Sequence, residues 1–168
     1  HTVPGNPDVA GWKAPLGLSD KSKVYENYRR FIDENLEPVL HLPGATFVGI
    51  NTAHGVTLRT LTWNLRDISI IGDIHKHQLD QAKEIFERAP PGDARVIVMH
   101  HNPVRGELSQ RHGLKNTHRI LGIFAELGVD LVCCGHDHQE SVPYLEPPRK
   151  GTLIPEAGTG PHRSRGRG

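Results

Sequence analysis

Arg95-Val-Ile-Val-Met-His-His-Asn-Pro103 is the stretch that decides the fold. Its apolar run is too short for a helix and rich in β-branched residues, so it predicts a buried strand ending at Met99. Asn102 and Pro103 halt the strand by turn chemistry. Val129-Asp-Leu-Val-Cys-Cys-Gly-His-Asp-His138 repeats the plan, an apolar strand running into Gly135 and a pair of histidines. Between the two, Leu114 to Leu127 reads as a helix closed by Gly128. Before them, His77 to Arg88 places Leu79, Ala82, Ile85 and Phe86 on one helical face and stops at Pro90-Pro-Gly92. Thr46 to Ile50 is an earlier apolar strand, with Thr57 to Trp63 as its expected partner. Upstream, Ser19-Asp20 caps an expected helix through Val24, Tyr25, Tyr28, Phe31, Ile32 and Leu36, which Pro38 and Pro43-Gly44 end. Val142–Leu145 and Gly151–Ile154 suggest closing antiparallel strands. Strand, helix, strand, helix, strand, then strands alone is an α/β order with an antiparallel edge. Both histidine clusters fall at the carboxyl ends of buried strands, the edge where open α/β sheets place their ligands.

Bulk properties narrow the classes. The 168 residues suffice for one domain with a core. A net charge of +1 gives no reason to expect nucleic acid or an anionic membrane as partner. No run of about 18 apolar residues exists to span a membrane. Arg163, Arg165 and Arg167 make a basic tail end that reads as solvated. Cys133 and Cys134 are adjacent, so they form no disulfide framework; they read as core residues of a protein from a reducing, cytoplasmic compartment. Histidine is the anomaly, with 12 scattered residues, and imidazole is the commonest metal ligand.

Three motifs carry the chemistry. In extended backbone, residues two apart share a side, so His136 and His138 can address one site, with Gly135 allowing close backbone approach. His100 and His101 are neighbours and point to opposite faces, so one of the two is the expected ligand. Pro4-Gly-Asn-Pro-Asp8 on its own is a turn.

Taken in order, Gly5-Asn-x-Asp8, strand-His100-His-x-Pro103 and strand-Gly135-His-x-His138 resemble the last three motifs of the calcineurin-like metallophosphoesterases. Tyr28-Arg-Arg-Phe31, Leu36-Glu-Pro-Val39, Gly49-Ile-Asn-Thr-Ala-His-Gly55 and Glu156-Ala-Gly-Thr159 look like a bacterial branch of that family. The resemblance implies a two-sheet α/β sandwich flanked by helices. It implies hydrolysis of a phosphodiester or phosphomonoester of a small molecule through two divalent metal ions and a bridging hydroxide. By position, Asn6, His100 and His136 would bind one metal and His138 the other; Asn51 and His54 would contact substrate. Nitrogen and oxygen donors without thiolate suit Mn, Fe or Zn and argue against a structural zinc site.

Two departures stand out. The family's opening motifs, Asp-x-His and the Gly-Asp that bridges the metals, belong before Asn6, where only five residues stand. The expectation is a domain shortened at its N-terminus and also at its C-terminus, inactive as an isolated fragment. Gly72-Asp-Ile-His75 mimics such a motif, but its position ahead of an amphipathic helix reads as a turn and helix start. Second, Pro7 occupies the place of the family's proton-donating histidine, leaving Asp8 without its partner and His101 or His54 as candidate acids. Pro7 therefore keeps open a second function: a degenerate relative that binds metal or phosphate without turnover.

Overall fold

A computed structural model describes residues 2–5, 8, 25–54, 71–103, 113–114 and 116–135. The expected strands at Thr57–Trp63, Val142–Leu145 and Gly151–Ile154 lie outside the described residues.

Among the described residues the frame is a four-stranded sheet in the order β1 (Val39–Leu42), β2 (Ala45–Ile50), β4 (Ala94–Met99), β6 (Leu131–Cys133). β2 (Ala45–Ile50), β4 (Ala94–Met99) and β6 (Leu131–Cys133) are the three strands expected from the apolar runs. They pair in parallel, with Ile50 beside Met99 and Val98 beside Cys133. Their carboxyl ends therefore lie together at one edge. α2 (Lys76–Arg88) and α3 (Thr117–Glu126) make the two crossovers. Strand alternation puts Val48, Ile50, Ile97, Met99, Val132 and Cys134 on one face. They form one buried cluster with Leu79, Ala82 and Phe86 of α2 and Ile120 and Phe124 of α3. Each large apolar side chain so buried contributes on the order of 1.5–3 kcal/mol. Cys134 belongs to this core and Cys133 is half-buried; neither is in a disulfide, and burial pushes the Cys133 thiol up.

Two local devices set the helix ends. Gln78 on the first turn of α2 accepts the His75 N–H at 2.6 Å. The expected helix start is present, but Gly72 ends a short strand, Ile71–Gly72, where a turn was expected. Past α3, Gly128 takes φ +65°, where glycine has no Cβ to clash. Its N–H reaches the Ala125 carbonyl at 3.1 Å, and the Val129 N–H reaches Phe124 at 2.9 Å, which satisfies the last carbonyls of the helix.

The structure corrects the reading of residues 26–44. The helix there, α1, covers only Glu26–Phe31. Asp33 accepts the Asn35 N–H at 2.9 Å and Asn35 accepts the Glu37 N–H at 3.0 Å; these side-chain turns compete with the helix and end it. Tyr28 is buried, but Phe31 and Ile32 of the expected apolar face are exposed. Pro43-Gly44 does not merely end a helix. It turns a hairpin between β1 (Val39–Leu42) and β2, with Leu42 opposite Ala45 and Gly44 at φ +83°. This strand supplies the antiparallel edge. A second, two-stranded parallel sheet joins β3 (Ile71–Gly72) to β5 (Gly113–Leu114). No described helix is long and apolar enough to cross a membrane.

Candidate metal centre

His100 and His101 leave β4 on opposite sides. The residues 97 and 99 face the helices, and His101 continues that side. It is 1% exposed, with Nδ1 2.8 Å from the Thr52 hydroxyl and its ring flat against Gly72. His100 continues the other side and is half-buried. On that face Val3 lies over Gly49, close enough that a Cβ at Gly49 would stand 3.1 Å from Val3 Cγ1. Two residues on, Gly5 meets the His100 imidazole: a Cβ there would sit 3.0 Å from Cε1 and 3.1 Å from Nδ1. The Tyr28 hydroxyl holds the approach of this segment by donating to Thr2 Oγ1 at 3.0 Å.

His100 thus gathers the motifs. Gly5 lies on its ring, and the Gly135 N–H donates to its carbonyl at 3.1 Å. Asn6 and His136 are the next residues after those two glycines. Asn6, His136 and His138 themselves lie outside the described residues. Asp8 is half-buried and closes the Gly5 turn from both sides: its N–H donates to the Gly5 carbonyl at 3.0 Å, and its Oδ2 accepts the Gly5 N–H at 2.9 Å.

The two expected substrate contacts follow β2 at the same sheet edge. Asn51 is 4% exposed; its Oδ1 accepts the Ala53 N–H at 3.1 Å and its carbonyl accepts from Gln78 Nε2 at 2.8 Å. Gln78 also donates to Glu37. Tyr25 donates to the Ala53 carbonyl at 2.6 Å, and burial pushes its phenol up. His54 is half-buried beside His75, ring centroids 4.4 Å apart. Burial first, then His75, lowers the His54 pKa from 6.5 to about 4, against the pull of Asp73. At ordinary pH this imidazole is neutral.

Among the described residues no three His, Cys, Asp or Glu side chains gather closely enough to hold a metal. What is described fits a metal ligand at His100: an imidazole on bare glycine backbone, at the sheet edge where the other candidates enter the sequence. No local pattern marks Thr52 or Gly72 as partners of His101. Their pairing is set by sheet register.

With its histidine-bearing strand ends side by side, this chain belongs to the calcineurin-like phosphoesterase family, whose sequence profile matches residues 1–140. A curated relative is the 3',5'-cyclic adenosine monophosphate phosphodiesterase CpdA of Haemophilus influenzae, 32% identical over 71 residues. That match covers 41% of this chain and 26% of CpdA, so the chain spans about a quarter of its relative's length. Among solved structures, GAP50, the anchor in the inner membrane complex of Plasmodium, aligns with a TM-score of 0.38 and 15% identity. It covers 70% of this chain and 35% of that one, a likeness too distant to inform the site.

Proposed function

We propose that the chain carries part of a binuclear metal centre that hydrolyses a phosphate ester of a small molecule. Asn6, His100 and His136 would hold one divalent ion and His138 the other, with Mn, Fe or Zn suited to these donors. The observation that carries this reading is the meeting of Gly5 and Gly135 on His100, which brings three motifs distant in sequence to one point. When bound, the metals supply an activated water and positive charge for the phosphoryl oxygens. The chain's own part is positional. The Gly5–Asp8 turn lies against the His100 ring at the sheet edge, and the end of β6 meets His100 through the Gly135 N–H. The relative named as a cyclic AMP phosphodiesterase favours a phosphodiester. The two cysteines, neither in a disulfide, favour a reducing, cytoplasmic setting. The β3–β5 pair would belong to the second sheet of a sandwich.

One observation supports a second reading, metal binding without turnover. Asp8 uses a carboxylate oxygen on the Gly5 N–H, and Pro7 offers no proton to a leaving group. Metal analysis and hydrolysis of bis(p-nitrophenyl) phosphate by the full-length protein separate the readings. His100→Ala and His136→Ala are expected to lower metal content and abolish turnover, whereas His77→Ala, exposed on α2, leaves both unchanged. Full metal content without turnover in the unmutated protein would favour the second reading. Metal retention in both His100→Ala and His136→Ala would overturn the ligand assignment.

A further inference from the structure

We propose that His101 is a positioning residue for His100, and that Thr52 and Gly72 fix it in that role. The proposal rests on the reading of His100 as a metal ligand. His101 is 1% exposed, so it sits within the protein rather than at a surface that substrate reaches. Its ring meets that of His100 edge to face, centroids 5.0 Å apart and planes at 82°. This is the favoured mutual arrangement for flat rings with an electron-rich face and a positive edge. With Gly5 against the ring of His100 as well, that imidazole has little freedom to turn.

His101 is itself held on two sides. A Cβ at Gly72 would stand 2.5 Å from both its Cγ and its Nδ1, so only glycine leaves the ring its place. Thr52, fully buried, makes two contacts: its Oγ1 accepts the His101 backbone N–H at 3.2 Å and lies 2.8 Å from Nδ1. A hydroxyl has one hydrogen to give and two lone pairs to receive, so Thr52 can hold Nδ1 in either tautomer while it accepts the backbone N–H. Outer partners of metal-binding histidines usually act through a hydrogen bond to the ligand's second nitrogen. Here the partner acts by packing, and the hydrogen bond lies one residue further out. A contact made by Thr52, just past β2, and Gly72 of β3 thereby sets the aim of a ring just past β4.

The test uses the full-length protein with Thr52→Val, Thr52→Ser and Gly72→Ala, read by cobalt(II) titration followed in visible absorption. Long-range proton–nitrogen NMR of the histidine rings, without metal, reads the surroundings of each ring. Thr52→Val and Gly72→Ala are each expected to weaken cobalt binding about ten-fold, with Thr52→Ser near wild type. The serine rescue separates the hydroxyl's role from loss of fold, and melting curves confirm that the variants are folded. Cobalt binding unchanged in Thr52→Val and Gly72→Ala, but lost in His100→Ala, would overturn the proposal and leave the metal reading intact. If wild type binds no cobalt, the metal reading fails and the NMR decides the positioning. Altered His100 ring signals in Thr52→Val then support it, and unaltered ones overturn it.

Discussion

Gly5→Ala places a methyl group against the candidate ligand without replacing any ionisable group. The new Cβ would lie 3.0 Å from His100 Cε1, 3.1 Å from Nδ1 and 3.5 Å from Nε2. Ordinary carbon contacts sit at about 3.5–4.0 Å, so either the ring or the turn must shift by roughly half an ångström. The turn resists, because two hydrogen bonds between Gly5 and Asp8 close it. The ring yields instead: in the metal-free protein it settles in another relaxed rotamer, and drawing it back off-rotamer to meet the metal costs about 0.5–1.5 kcal/mol. That corresponds to a loss of about two- to twelve-fold in metal affinity, at 1.4 kcal/mol per factor of ten. Stability should move the other way. Gly5 is not in the left-handed region, so alanine restricts the unfolded chain and adds about 0.4–1 kcal/mol. Isothermal titration with Mn²⁺ and urea unfolding of the metal-free protein give the two numbers. Opposite signs are the expected signature. Unchanged affinity would refute the placement of the metal on His100, and affinity falling only in step with stability would reduce the effect to a damaged fold.

Gly49→Ala is expected to lower unfolding free energy by about 1–3 kcal/mol in urea, since its Cβ would meet Pro38 Cδ at 2.8 Å and the Pro38 carbonyl at 3.0 Å. Arg95→Met should cost about 1–2 kcal/mol, because the guanidinium donates to the Leu127 carbonyl beyond α3; an unchanged urea midpoint would count against that bond. The pH dependence has a definite sign. His54 is neutral in the fold down to about pH 4 while the unfolded ring protonates near 6.5, so the unfolded state takes up the proton first. Stability is whole above pH 6.5 and falls between 6.5 and about 4, by at most ~3 kcal/mol before discounting for partial exposure. The slope should flatten in His54→Gln, and an unchanged slope would contradict the assignment.

The parts of the fold legible in sequence are those with a strong local pattern. β4 and β6 are apolar runs ended by Asn102-Pro103 and Gly135, and α2 shows its face at Leu79, Ala82 and Phe86. β1 was not legible. Val39-Leu-His-Leu42 is an edge strand with mostly exposed side chains, flanked by prolines that read as helix breakers. The two-residue strands β3 and β5 are too short to carry any periodicity. At the site, strand parity already separated His100 from His101 and required only one of them as a ligand. The family resemblance chose His100; in the structure His100 faces Gly5, and His101 the core. The Thr52–His101 contact joins positions 49 residues apart and has no signature in either neighbourhood.

The contact between Gly5 and His100 also has a consequence for the order in which the molecule assembles. Positions 5 and 100 are 95 residues apart, whereas β2, α2 and β4 can form without residues 2–5. Closing so long a loop has an entropic cost that grows with the logarithm of its length and is met only once the sheet exists to receive it. The segment Thr2–Gly5 is therefore a late arrival in folding and an early departure in local opening. Its amides should exchange with solvent faster than those of β4, and the rate at which a bound ion escapes would follow the fraying of this segment rather than the unfolding of the sheet.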